Sequence, residues 1–155
     1  MGWESWAAGI LLVAVHEGMP VVLLGLDARD KGGKWSDFAG GGEPEDADPR
    51  HTAVRELREE TGGVLALSVA DLDPAARCRP GTTPSGKTLH RYILRMAYDP
   101  GLPARFTGSQ DGEKVALGWF PLAALPPLRH VFWQQMREDR RPIARFAATG
   151  SWDPV

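Results

Sequence analysis

The sequence predicts an α+β sandwich. Three observations carry that reading: two nearly unbroken apolar runs near the start, a short capped helix in the middle, and a later strand followed by a closing helix. One-sided strands alternate apolar with polar residues, so the unbroken runs at Trp6 to His16 and Val21 to Leu26 describe strands covered on both faces. Strands before and after a central helix, then a strand and a terminal helix, fit a layered α+β arrangement.

Taken in order, the two apolar runs are joined by Glu17-Gly18-Met19-Pro20, a hairpin connection. Asp27 to Lys34 is a polar, glycine-containing loop suited to lie over a substrate. Trp35 to Phe38 reads as a short strand leading into the loop glycines Gly40-Gly41-Gly42, where a main-chain carbonyl can approach a ligand closely. After the central helix, Val64 to Val69 reads as a strand, and Ala70 to Ala76, with Asp71, Asp73 and Pro74, as a turn. Arg77 to Arg79 reads as a strand edge, residues 80–86 as a loop, and Lys87 to Tyr98 as the clearest long strand. Asp99 to Gly112 is a loop of the length that often shapes pockets, with Phe106 its one bulky apolar side chain. Val115 to Phe120 is the last strand. Leu128 to Arg140 is the closing helix, with Leu128, Val131, Phe132 and Met136 on one side and Pro142 as its stop; Phe146 and Trp152 can pack back behind it.

At 155 residues, 43% hydrophobic and 25% charged, the chain is expected to form one domain, residues 1–155, with a real core. A net charge of −2 gives no electrostatic reason to expect long nucleic acid or an anionic membrane as partner. The single cysteine, Cys78, excludes an intramolecular disulfide and a cysteine metal site. The apolar run Trp6 to Val15 lacks a basic leader, follows Glu4 and is too short to span a bilayer, so a cytoplasmic location is the expectation. No histidine has a partner at metal-ligand spacing, and there are no internal repeats or P-loop.

The most informative stretch is GGEPEDADPRHTAVRELREETGG, Gly41 to Gly63. Asp48 can cap the helix, Pro49 fits its first position, and Gly62 suits the left-handed residue that ends it. At 100° per residue, Glu56, Glu59 and Glu60 share one arc, with Val54, Leu57 and Thr61 on the neighbouring one. Like charges so spaced repel by a few tenths of a kcal/mol per pair. A hard divalent cation, Mg²⁺ or Mn²⁺, would offset this while leaving positions for water and substrate phosphates. The alternative is a solvated surface helix laced by Arg55–Glu59 pairing.

This stretch resembles the Nudix box: Gly, five residues, Glu, seven residues, Arg-Glu, an aliphatic, any residue, Glu-Glu, any residue, Gly, aliphatic. Gly41, Arg55-Glu56, Leu57, Glu59-Glu60 and Gly62 match it. Two positions depart, Ala47 in place of the first Glu and Gly63 in place of the last aliphatic. In the family that first Glu mainly braces the loop, often against the box Arg, and Asp46 and Asp48 are the nearby acids open to substitute. A second segment is also similar: a late acid, Glu113, followed by Trp119-Phe120-Pro121-Leu122.

The resemblance implies a mixed sheet between helices and hydrolysis of a nucleoside diphosphate linked to another moiety. It places Mg²⁺ on Glu56, Glu59, Glu60 and the Gly40 carbonyl, with Glu113 binding a further metal or acting as general base; Arg55 orients the carboxylates. Glu56, Glu59 and Glu113 all stay open as the base, and an exposed acid beside Lys114 is the other reading of Glu113. Arg77, Arg79 and Arg91, with Arg95, are candidates to hold substrate phosphates by forked hydrogen bonds, solvated strand positions being the alternative. Trp35 and Phe106, together with Tyr92 and Trp119, are candidates to stack on a base, or else core. Pro80 lies about where ADP-ribose-hydrolysing relatives often carry a proline. The expected partner is a small nucleoside diphosphate derivative; many relatives form homodimers, and the sequence leaves the oligomeric state open between that and a monomer. The competing classes are a nucleotide- or ADP-ribose-binding module without catalysis, favoured by Ala47 and Gly63, and an RNA end-processing hydrolase, which the near-neutral charge disfavours.

Overall fold

The computed structural model describes residues 2–72 and 76–152. β1 (Trp6–His16) organises the sheet. Toward its C-terminal end it pairs antiparallel with β2 (Met19–Asp27), and toward its N-terminal end with β4 (Phe38–Gly41). Its other edge pairs parallel with β6 (Thr88–Arg95), which makes the sheet mixed. β3 (Trp35–Ser36) and β7 (Lys114–Pro121) extend β2, and β5 (Arg77–Thr82) closes the far edge against β6, giving seven strands among the described residues.

Burial on both faces of β1 follows from its unbroken apolar sequence. Leu11 and Val13, with Val22 and Leu24 of β2, face the long helix α4 (His130–Thr149) and pack on Phe132, Met136, Ile143 and Phe146. The alternate residues Ile10 and Leu12, with Leu23, face α1 (Pro49–Glu60) and pack on Ala53 and Leu57. Two short helices, α2 (Val69–Leu72) and α3 (Leu102–Arg105), close the α1 side through Leu72 and Leu102. The fold is therefore the expected α+β arrangement, a mixed sheet between helices.

Several elements differ from expectation, each for a local reason. The hairpin turn is only Glu17-Gly18, both at positive φ (51° and 77°), because Met19 and Pro20 already pair with His16 and Val15. Two of the three glycines expected in a loop, Gly40 and Gly41, lie in β4 opposite Ala8 and Ala7. Val64 to Val69 forms no strand: the Thr61 hydroxyl donates to the Leu57 carbonyl and accepts from the Leu65 N–H, folding the chain back so that Leu65 and Leu67 pack under α1. The turn expected from Ala70 begins inside α2, and its Asp73 and Pro74 lie outside the described residues. β5 runs on through Pro80, which an edge strand tolerates.

The closing helix does not stop at Pro142. An interior proline costs about 3 kcal/mol, but Ile143, Phe146 and Ala147 beyond it are all buried in the core and offset that cost. Gly150, at φ 78°, ends the helix instead. Among the described residues no helix is long and apolar enough to cross a membrane.

Candidate active site

The site is built on α1, and both ends of that helix are fixed by local chemistry. The Asp48 carboxylate accepts from the backbone N–H groups of Arg50 (2.9 Å) and His51 (3.2 Å), and Pro49 occupies the first turn. Burial works against its charge, yet the His51 and Arg50 contacts hold its carboxyl down at about 2. At the other end the Gly62 N–H donates to the Glu59 carbonyl and the Gly63 N–H to the Arg58 carbonyl, a Schellman ending with φ of 61° and 84°. Gly62 is required twice over, since a Cβ there would also overlap the carbonyl of Gly108. The Gln110 N–H donates to the same Glu59 carbonyl at 3.0 Å, so the 99–112 loop is docked on the end of α1.

Arg55 is the hub. Its Nε and Nη2 donate to Asp46 (3.2 and 2.9 Å), its Nη2 to the Gly41 carbonyl (3.0 Å), and its Nη1 to Glu56 (3.0 Å) and Glu59 (3.2 Å). Asp46 is itself buried and also accepts from the Thr52 hydroxyl (2.7 Å) and the Glu43 N–H (2.9 Å). Thr52 in turn accepts from the Trp6 indole at 2.9 Å. Burial opposes the Asp46 charge, but Arg55, Thr52 and the Glu43 amide keep its carboxyl below the ordinary range. Asp46, one residue before the exposed Ala47, thus makes the loop-to-arginine brace that the box assigns to its first Glu.

The helix carboxylates sit in unequal surroundings. Burial pushes Glu56 up to about 7; Arg55 opposes this, while Glu59 and Glu113 reinforce it. Glu60, only 3% exposed, is pushed by burial up to about 9, with Lys114 opposing and Glu56, Asp37 and Glu113 adding repulsion. Its Oε1 has no hydrogen-bond partner. A Cβ on Gly40 would overlap the Glu56 carboxylate, so only glycine lets that backbone approach so closely. Glu113, just before β7, is half-buried, and its charge is felt by both Glu56 and Glu60.

Lys114 corrects the reading of this loop. Its side chain is fully buried, with Nζ 2.7 Å from Asp27 Oδ1 and 2.7 Å from the Ser36 hydroxyl. The reason is a β-bulge: Leu26 opposes Ala116 while Asp27 opposes Lys114, leaving Val115 as an extra residue that is 53% exposed. The bulge re-aims Lys114 beneath the carboxylates.

Among the described residues, no group of three or more His, Cys, Asp or Glu side chains is drawn together closely enough to hold a metal ion as it stands. Glu56 and Glu59 instead turn toward Arg55. The donor set nevertheless fits a hard cation in chemistry: carboxylates, a closely approaching glycine backbone, and the buried, unpartnered oxygen of Glu60.

The expected substrate side chains are placed differently. Arg77, Arg79, Arg91 and Arg95 do share a face, but it is the one covered by α4. Arg79 donates from Nε to Asp139 of α4 (2.9 Å), Arg95 to the Ala147 carbonyl (3.3 Å), and Arg77 lies over the Phe146 ring. The structure therefore does not bring Arg77 and Arg79 to the carboxylates. Arg91 is buried in an ion pair with Asp37 and lies over the Phe132 ring. Trp35 packs edge-on against Phe120 in the α4-side core, and Phe106 packs into the α1-side core, so neither presents a free ring for stacking. Tyr92 and Trp119 likewise belong to the α1-side core, and the Trp119 indole donates to the Asp99 carbonyl at 2.8 Å.

Residues that sequence reasoning passed over join the site from below. Asp27 links Lys114 to Arg129, whose Nη2 lies 2.6 Å from Asp27 Oδ2. Asp37, between β3 and β4, pairs with Arg91 on one side and repels Glu60 on the other. The available signal was an acid placed between the aromatic residues of a short strand segment, as in Trp35-Ser36-Asp37-Phe38.

Comparison with known proteins agrees with this fold. The fold is similar to the NUDIX domain of Shewanella oneidensis NrtR complexed with ADP-ribose, at TM-score 0.62 and 19% identity over 91% of this chain and 89% of that one. It is also similar to RenU, a Nudix hydrolase from M. smegmatis, at TM-score 0.56 and 22% identity over 93% and 91% of the two chains. A C. elegans Ap4A hydrolase matches at TM-score 0.54 and 18% identity, over 77% of this chain and 81% of that one. No curated protein sequence matches the chain. The model of the NUDIX domain matches residues 4–140, and the chain belongs to the NUDIX family.

Proposed function

We propose that this protein is a metal-dependent pyrophosphohydrolase acting on a nucleoside diphosphate linked to a second moiety. The observation that carries the reading is Glu60: a buried carboxylate crowded by Glu56, Asp37 and Glu113, with one oxygen unpartnered, is built to be neutralised by a cation. Glu56, Glu59, Glu60 and the Gly40 carbonyl would hold Mg²⁺ or Mn²⁺. When bound, such an ion offsets the charge on the diphosphate oxygens and lowers the pKa of the attacking water.

The chain's own residues do the rest. Arg55 fixes Glu56 and Glu59 against the Gly41 carbonyl and the Asp46 brace. Among the described residues, the Glu113 carboxylate makes no hydrogen bond or ion pair, whereas Glu56 and Glu59 are both held by Arg55. That difference favours Glu113 as the group that accepts the proton of the attacking water. Lys114, buried below, partly offsets the charge on Glu60. A nucleotide ligand is supported by the fold's likeness to a domain complexed with ADP-ribose and to an Ap4A hydrolase.

The binding-module reading rested on Ala47 and Gly63. Asp46 makes a brace to Arg55 despite Ala47, and the Gly63 N–H takes part in the helix ending, and both contacts support the hydrolase reading. The test is phosphate release from a panel of nucleoside triphosphates, ADP-ribose, dinucleoside polyphosphates and sugar nucleotides, with Mg²⁺ and with EDTA. Turnover of at least one diphosphate in Mg²⁺ only is expected. Tight binding without turnover would establish the binding module instead.

A further inference from the structure

Trp133 of α4 is 42% exposed, although Phe132 and Met136 near it are buried in the core. It borders a recess of about 480 Å³ between α4 and the 123–128 segment, and no residue of α1 or of the carboxylate site lines that recess. The walls are apolar, with Leu125, Pro126 and Pro127 on one side and Trp133 and Met136 on the other. Pro126 and Pro127 have no N–H, so that part of the wall has nothing to donate to a ligand.

The charged residues along the recess are Arg137 and Arg140, both exposed. Among the described residues neither makes a hydrogen bond or an ion pair. Arg137 lies over the Trp133 ring at 5.1 Å, which keeps its guanidinium at the rim. The acids of this part of α4 are turned elsewhere: Asp139 is buried against Arg79, and Glu138 borders a different recess that Arg79 also lines. The result is an apolar trough with an uncompensated positive rim, on a chain whose net charge is −2.

A single exposed apolar side chain needs no explanation, but a tryptophan, a trough and unpaired arginines together have the composition of the energetic centre of an interface. Charge complementarity then sets the occupant: carboxylates to meet Arg137 and Arg140, and an aliphatic or aromatic side chain to fill the trough. Single-stranded nucleic acid also joins anionic to apolar groups, but it needs a free aromatic face on which bases stack. Here the ring is already stacked. His130, one turn earlier, lies nearly parallel to it (18°, 6.0 Å between centroids), and Arg137, one turn later, lies over it.

We infer that this trough is a docking site for an acidic segment of a partner protein, whose leucine or phenylalanine seats against Trp133 and Met136 while flanking aspartates or glutamates pair with Arg137 and Arg140. The inference stands apart from the hydrolase reading, since the trough shares no lining residue with the carboxylate site.

The test is fluorescence anisotropy of a fluorescein-labelled peptide, Glu-Asp-Glu-Leu-Phe-Asp-Glu-Leu-Asp, titrated with the full chain at low and at high salt. Saturable binding that weakens with salt is expected. Trp133→Ala and, separately, the double variant Arg137→Gln with Arg140→Gln should each weaken it by about tenfold. Melting temperatures should be unchanged, because all three side chains are exposed. Two control probes carry the alternatives: the same peptide with serine in place of its leucines and phenylalanine, and a labelled oligouridylate of equal charge. No saturable binding of the acidic peptide, equal binding of the serine peptide, tighter binding of the oligouridylate, or unchanged binding by the variants would each overturn the inference. A wild-type chain that is dimeric and becomes monomeric as Trp133→Ala would overturn it too, by assigning the trough to a second copy.

Discussion

Asp46 and Arg55 form a two-pronged pair, Nε at 3.2 Å from one carboxylate oxygen and Nη2 at 2.9 Å from the other, that ties the loop before α1 to the middle of the helix. The same guanidinium reaches Glu56, Glu59 and the Gly41 carbonyl, so one side chain ties the brace to the carboxylates. Asp46→Ala strands Arg55 and Thr52 of their shared acceptor. The expected loss is about 2 kcal/mol of stability together with a marked fall in turnover, read by urea unfolding and phosphate release. Ala47→Ser, at an exposed position, should stay within about 0.5 kcal/mol of wild type.

The carboxylates predict an unusual pH dependence for the metal-free protein. Glu56 and Glu60 hold their protons in the folded state up to about 7 and about 9, whereas the unfolded chain releases them near the ordinary 4.5. The folded state therefore binds more protons in that window, and stability falls as pH rises from about 5 through 9. Asp46 and Asp48 have the opposite sign: their contribution is present above about 4 and is lost as pH falls toward 2. Melting in EDTA should show a maximum near pH 5 and a decline on the alkaline side. Glu60→Gln should flatten that decline, and Mg²⁺ should raise the melting temperature more at pH 8 than at pH 5.

Lys114 is predicted to be indispensable to the fold although it lies beside a loop. Lys114→Met leaves Asp27 with Arg129 alone and removes the cation that partly offsets the charge on Glu60, at an expected cost of about 3 kcal/mol or more. Chemical denaturation measures it. A neutral outcome would mean that the buried pair contributes nothing beyond the packing of its stem.

Gly62→Ala tests the docking of the 99–112 loop. Positive φ and the nearby Gly108 carbonyl together make a side chain there cost more than 1 kcal/mol. Faster proteolysis or amide exchange across residues 106–112 is the expected sign that the loop has come off α1.

What could be read in the sequence was what depends on neighbours along the chain. The Asp48 cap, Pro49, the Gly62 ending and the two-faced burial of β1 are decided by a few adjacent residues, and all hold in the structure. The common face of Arg77, Arg79, Arg91 and Arg95 follows from strand alternation, but sequence cannot say that α4 covers it and supplies Asp139. The burial of Lys114 was hidden because a bulge at Val115 breaks the alternation on which such a reading relies. Pro142 misled for a related reason: a local penalty was outweighed by tertiary burial of Ile143 and Phe146.

The central claim is that Glu59 and Glu60 serve chemistry and not the fold. It is tested most directly by turnover of Glu59→Gln and Glu60→Gln in Mg²⁺, on the best diphosphate of the panel, alongside their melting curves. The account predicts that hydrolysis is abolished in both while the variants stay folded, with Glu60→Gln more stable than wild type in EDTA at pH 8. Near-normal hydrolysis by either folded variant would contradict it.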